Sequence, residues 1–125
     1  MTWQLLSADL VIAIHDAVLN PGELQGLAMN KSLEGALGRV EFRVGYDMIA
    51  DVFDLAAAYC EAVAQGHCFN DGNKRTAHQT MDVCLAIHGI EITWSHEEVG
   101  KKVIALAQGH LEPEDLAAWL RLQAG

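Results

Sequence analysis

The stretch GHCFNDGNKRTA, Gly66 to Ala77, stands between two apolar helical runs. Upstream, Ile49, Val52, Phe53, Ala56, Cys60 and Val63 recur at helical spacing, so a long helix is predicted from a cap at Asp47 to a stop at Gly66. Downstream, Ala77, Met81, Cys84, Leu85 and His88 share one side of a second helix, from about Asn73 to His88, and Val83 and Ile87 widen its apolar surface. The stretch therefore closes one helix and opens another, and the second of them is expected to be central.

Working outward, the same periodicity continues. Ser7 is placed to cap a first helix carrying Leu10, Val11, Ile14 and Val18, which Asn20-Pro21-Gly22 ends. Residues to about Lys31 read as loop. Ser32 is placed to cap a short helix through Val40, after which EFRVGYD (41–47) alternates like a strand and suits a helix or a flap equally well. Beyond Gly89, IEITW is an extended link to Ser95-His96-Glu97-Glu98, an S-x-x-E box ahead of Val99, Val103, Ile104 and Leu106. Gly109 ends that helix, and Pro113 suits the first turn of a last one with Leu116, Ala117 and Leu120. No repeat or low-complexity linker interrupts the pattern. The predicted fold class is all-α: one compact domain over residues 1–125, a bundle of about six helices.

Composition narrows the function classes. Hydrophobic residues make up 51% of the chain but aromatics only 6%, which suits packed helices better than a β-sandwich. Eight Lys and Arg stand against 17 Asp and Glu, a net charge of −9 that argues against general binding to nucleic acid or to an anionic membrane. Three cysteines, Cys60, Cys68 and Cys84, follow no Cys-x-x-Cys spacing and suggest neither a disulfide framework nor a zinc site. No apolar run approaches the length of a membrane span and no leader pattern follows Met1, so a soluble cytoplasmic protein is expected.

Positive charge is thus scarce, yet two of the eight cations adjoin at Lys74 and Arg75. They stand at the start of a helix, where unpartnered N–H groups and the helix dipole already favour an anion. Cations there work against the dipole unless an anion lies between, and a polyphosphate would resolve the conflict. Gly72 allows close backbone approach. Asp71, the one carboxylate in the cluster, is a candidate Mg²⁺ ligand beside phosphates. His67 can take a proton near neutral pH and so activate a hydroxyl nucleophile. Asn73 either donates to a phosphate oxygen or holds the loop, and Phe69 is expected to anchor the loop in the core.

At this spacing His67, Phe69, Asp71, Asn73 and Arg75 match His-x-Phe-x-(Asp/Glu)-x-Asn-x-Arg, and the chain resembles the Fic/Doc family. The resemblance extends over IAIHD (12–16), GRVEFRVGYD (38–47) and the helix that follows, and is greatest to the Doc-type toxins of Phd/Doc toxin–antitoxin modules. Most Fic members transfer AMP from ATP to a protein hydroxyl and have glycine between Asn and Arg. Lys74 stands there in this chain, as in Doc-type members, which implies that ATP binds in the reverse sense and that its γ-phosphate is transferred. The resemblance implies a kinase-type transferase using ATP and Mg²⁺, with a threonine of elongation factor Tu as target, translation arrest as outcome, and a Phd-like antitoxin whose C-terminal segment lies in a groove. His67 would then be the base, Asp71 the metal ligand, and Lys74 and Arg75 the phosphate clamp, with Gly72 and Asn73 shaping the pocket. Residues 38–46 are the expected substrate edge. AMP transfer, or an antitoxin-binding co-repressor with weak catalysis, are the alternatives.

Two departures stand out. Cys68 follows the histidine where many Fic members have proline, which removes no chemical group. The inhibitory (Ser/Thr)-x-x-x-Glu-(Gly/Asn) pattern is met only by NKSLEG (30–35), where Asn30 replaces the hydroxyl residue, so control in trans is expected. Outside the motif, His15 reads as a structural histidine bonded to backbone, and His78 and His88 as residues of the second helix. His96 and Glu97 lack the second histidine of H-E-x-x-H, since Gly100 occupies its place, and read as helix-start residues. Trp3, Trp94 and Trp119 read as packing anchors and Lys101-Lys102 as a solvated face. Tyr46 and Tyr59 carry no functional signal.

Overall fold

The computed structural model describes residues 3–125. Six helices follow in order: α1 (Ala8–Val18), α2 (Leu33–Gly45), α3 (Val52–Gly66), α4 (Asn73–Ile87), α5 (His96–Ala107) and α6 (Pro113–Ala124). Among the described residues there is no strand, only an isolated antiparallel bridge between Leu27 and Phe69. No helix among them is long and apolar enough to cross a membrane.

The bundle is organised around α3, which carries nine buried residues, from Leu55 through Ala64. Five of these are alanines (56, 57, 58, 62 and 64), and such small side chains let neighbouring helices approach on several sides. Helices α2, α4, α5 and α6 all pack on it, while α4 also touches α1 and α5. The helix expected to be central, α4, lies along α3 through Ala77, Met81, Cys84 and Leu85, and α3 is the more deeply buried of the pair. Tyr59, fully buried on α3, accepts a 2.8 Å hydrogen bond from the Leu6 N–H and so fixes the entry into α1. The tryptophans serve packing: Trp94 meets Trp119 edge to face, and Trp3 meets the edge of His88. All three cysteines are free and buried, and burial holds the Cys84 thiol up at about 12.

Capping accounts for most boundaries. Ser7, Ser32 and Ser95 each accept a hydrogen bond from an N–H of the first turn they cap, and Glu112 and Asp115 form a reciprocal box around Pro113. One open reading is decided and one expectation is corrected. Residues 41–45 continue α2, because Val40 and Val44 extend the inward row of Leu33, Ala36 and Leu37, and this helical period prevails over the strand-like alternation. The cap of α3 is Asp51, not Asp47. Asp47 lies in the left-handed region (φ 55°), whereas Asp51 is extended and its carboxylate accepts from the Asp54 N–H.

Asp51 also receives Arg121 from α6, at 2.7 and 3.1 Å, and Asp54 receives the same guanidinium at 3.2 Å. The hydrogen bond from Arg121 is the main reason the Asp51 carboxyl is held below its ordinary 3.8. A carboxyl depressed in the folded state adds stability above its unfolded pKa, and that stability is lost as pH falls through the folded one. Arg121→Ala is therefore expected to destabilise the chain by roughly 1 kcal/mol at neutral pH, the pair being partly solvent-screened. Denaturation midpoints should show this gap closing as pH drops below 3.8, and a gap independent of pH would refute the ion-pair origin.

Candidate functional site

Helix α3 ends on His67, whose backbone takes the left-handed conformation (φ 49°, ψ 39°) and turns the chain sharply into the 68–72 loop. A non-glycine residue rarely adopts that conformation, and its imidazole is left exposed at the loop rim. Gly72, also left-handed (φ 78°), begins α4 with no side-chain cap, so the first N–H groups of that helix face outward without a built-in acceptor. A Cβ at Gly72 would stand 3.3 Å from an Arg75 nitrogen, so glycine serves both the turn and the close approach.

The loop is held from beneath. Phe69 is buried, and its ring stacks on the imidazole of His15 at 3.9 Å between centroids and 9° between planes. His15 Nε2–H in turn donates to the Asp71 carbonyl at 2.7 Å. Asn73 closes the loop on itself: its Oδ1 accepts from the Phe69 N–H at 3.1 Å and its Nδ2 donates to the Phe69 carbonyl at 2.9 Å. Of the two readings given to Asn73, loop-holding is the one this geometry shows, and one Nδ2 hydrogen is left over for a further acceptor. His15 is the structural histidine expected, and what it positions is the backbone of the site. Cys68 is buried, with its thiol directed to the Ser32 carbonyl at 3.6 Å.

Around this loop lies an open cavity of about 470 Å³, lined by Ala64, His67 and residues 70–75. It brings together His67, Asp71, Gly72, Asn73, Lys74 and Arg75. Lys74 is exposed and is part of no ion pair among the described residues. Asp71 is the only carboxylate in the lining; its Oδ2 accepts from the Leu24 N–H at 2.8 Å.

Two features escaped the sequence. The first is the 24–28 segment, read only as loop. It runs antiparallel to the motif, with Ala28 N–H to the Cys68 carbonyl at 2.7 Å, Asn70 N–H to the Gly26 carbonyl at 3.2 Å, and Asn70 Nδ2 to the Gln25 carbonyl at 3.0 Å. Residues 38–46, the expected substrate edge, do not line the cavity; they belong to α2, and most of them border a different groove. The second is Glu23, whose two carboxylate oxygens take Arg75 Nη2 at 2.5 and 2.6 Å. Glu34 of NKSLEG is exposed in the first turn of α2, so the acid that meets Arg75 is Glu23. Proline and glycine at 21 and 22 mask this segment as an ordinary turn, and only folding shows where its acid lands.

The remaining histidines lie elsewhere. His88 bonds the Cys84 carbonyl at 2.7 Å and accepts the Gln4 N–H at 3.0 Å, a docking post for the N-terminal segment. His78 does not line the cavity, stacks on His96 at 4.2 Å and is held down at about 4 by burial. Its neighbour Asp82 is raised to about 6, again chiefly by burial.

The family model described as "Fic/DOC family" matches residues 5–85, well over half the chain. The chain is also 35% identical over 117 residues to "Protein kinase doc" of Escherichia phage P1, covering 93% of this chain and 92% of that protein. The matched span contains the whole cavity lining and also the 24–28 segment laid against it.

Asn73→Ala should remove both bonds to Phe69 and lower stability by about 2 kcal/mol, at roughly 1 kcal/mol for each bond. A urea titration measures it; an unchanged midpoint would mean that the amide does not hold the loop.

Proposed function

Since the chain belongs to the Fic/DOC family, we propose that it is the toxin of a toxin–antitoxin module and transfers the γ-phosphoryl group of ATP to a threonine of elongation factor Tu. The observation that carries this reading is one cavity wall on which His67, Asp71, Lys74 and Arg75 surround the uncapped start of α4. Phosphoryl transfer asks a protein mainly for position and charge neutralisation, and that wall offers both.

The outward N–H groups of α4 and the exposed Lys74 receive phosphate oxygens, and Arg75 joins them once it leaves Glu23. Asp71 Oδ1 has no partner among the described residues and suits Mg²⁺. Bound Mg²⁺-ATP supplies the phosphoryl group and a divalent charge beside it. The proton of the target hydroxyl passes to an imidazole nitrogen of His67, the hydroxyl oxygen bonds to phosphorus, and the bond to the ADP oxygen breaks. The extended 24–28 backbone beside the motif is the edge along which the target segment lies. Lys74 favours the kinase orientation over AMP transfer because it adds a full positive charge where most family members have none.

The antitoxin partner, Phd-like, is assigned to a second groove of about 410 Å³ between α2 and α3. Its floor is apolar, with exposed Phe42 and Met48 at the rim and Arg39 and Arg43 beside them, which fits an amphipathic acidic segment that folds on binding. No such face needs to be shared with the catalytic cavity, since the two linings have no residue in common.

Incubation with α- or γ-labelled ATP and elongation factor Tu tests the reaction. Label from the γ position alone is expected, label from the α position would make it AMP transfer, and no label would leave only antitoxin binding. His67→Ala should cut transfer roughly a hundred- to ten-thousand-fold with an unchanged melting temperature, because an exposed rim imidazole supports no core. Asp71→Asn keeps an acceptor for the Leu24 N–H and should lose the Mg²⁺ dependence selectively. Glu23→Gln frees Arg75 and should lower the KM for ATP by up to roughly fivefold, the worth of a partly exposed ion pair of about 1 kcal/mol. A KM that rises instead would mean that Glu23 aligns Arg75 for the nucleotide.

A further inference from the structure

We propose that His78, Asp82 and His96 form a binding site for a transition-metal ion of the zinc class, held by two imidazole nitrogens and one carboxylate oxygen. The three lie at the junction of α4 and α5: His78 and Asp82 stand four residues apart on one face of α4, and His96 is the first residue of α5. One ligand atom from each falls within 4.8 Å of the others. His78 Nε2 and Asp82 Oδ2 are 3.6 Å apart, too long for a hydrogen bond but close to the spacing, about 3.4 Å, of two ligands on a tetrahedral ion with bonds of about 2.1 Å.

The buried groups are unsatisfied as they stand. His78 is 7% exposed, and its Nε2 has no hydrogen-bond partner; Asp82 Oδ1 is buried and likewise unpartnered. Polar atoms withdrawn from water without partners are unfavourable, and a cation bound by His78 Nε2 and one oxygen of the Asp82 carboxylate uses the imidazole lone pair and the carboxylate charge together. His96 covers the outer side, its ring stacked 4.2 Å from that of His78, and as an exposed side chain it can turn its nitrogen toward the ion. Solvent at that side supplies the fourth ligand.

The donor set also separates this site from the Mg²⁺ role given to Asp71. Two imidazoles select zinc, cobalt, nickel or copper, whereas Mg²⁺ requires oxygen ligands. None of the three residues lines the catalytic cavity. Metal here would staple the helix that carries Lys74 and Arg75 to the start of α5, one turn beyond the phosphate clamp. The inference rests on these residues alone and is independent of which group the cavity transfers.

The full chain, stripped with a chelator, is titrated with Co²⁺ at neutral pH and followed by visible absorption, then with Zn²⁺ in competition with a chromophoric chelator. The expected result is one Co²⁺ per chain with the spectrum of a four-coordinate nitrogen and oxygen site, displaced by Zn²⁺. His96→Ala, a change at an exposed position that leaves the core intact, should weaken Zn²⁺ by at least the roughly hundredfold that even an outer-shell partner can contribute. His110→Ala, at an exposed histidine elsewhere, should bind as the unmodified chain does. Absence of a one-to-one complex, or equal affinity in His96→Ala and the unmodified chain, overturns the proposal.

Discussion

Phe69 lies flat against His15, and the cavity above depends on that contact. The loop between α3 and α4 is polar at nearly every other position, so without a buried ring it would have no reason to lie down on the bundle. Stacking fixes its middle, the His15 imidazole fixes the Asp71 carbonyl, and the Asn73 amide closes the turn around Phe69. Each of these side chains faces inward or back onto backbone. The outward-facing groups, His67, Lys74 and the first N–H groups of α4, are thereby presented to solvent by a frame that does not use them.

Charge is distributed by the same logic. In a chain with a net charge of −9, a cationic helix start would be expected to recruit whatever acid is nearest, and Glu23 does so. The ion pair occupies Arg75 while leaving Lys74 open, so the two adjacent cations are not equivalent. Arg75 is held by an internal carboxylate, whereas Lys74 is exposed and in no ion pair among the described residues. The 24–28 segment that follows Glu23 is tied to the motif by hydrogen bonds, which makes the acid and this flanking segment parts of one element.

Helix α4 carries a second polar locus where apolar residues would pack more simply. His78 and Asp82 sit on a helix whose buried positions besides His78 are Thr76, Ala77, Thr80, Met81, Cys84 and Leu85. Buried polar atoms without partners conflict with every local rule for a core, and such conflicts tend to mark sites with a ligand. The conflict at Lys74 and Arg75 is of the same kind, two cations at a helix start that the dipole disfavours.

The order and type of the helices were legible in the chain because each depends on local chemistry: apolar residues at helical spacing, a serine or acid before the first turn, glycine or proline after the last. So was the grouping of His67, Asp71, Lys74 and Arg75 around one cavity, since they are neighbours in sequence and stay neighbours in space. The cap of α3, expected at Asp47, lies at Asp51, whose carboxylate is also held by Arg121, seventy residues away. EFRVG reads as strand or helix by itself, and only the α3 surface it packs on decides for helix. Tertiary structure alone decided that Glu23 meets Arg75, that residues 24–28 rather than 38–46 flank the motif, and that His96 arrives over His78. Those are contacts between separate elements, which no periodicity within either element encodes.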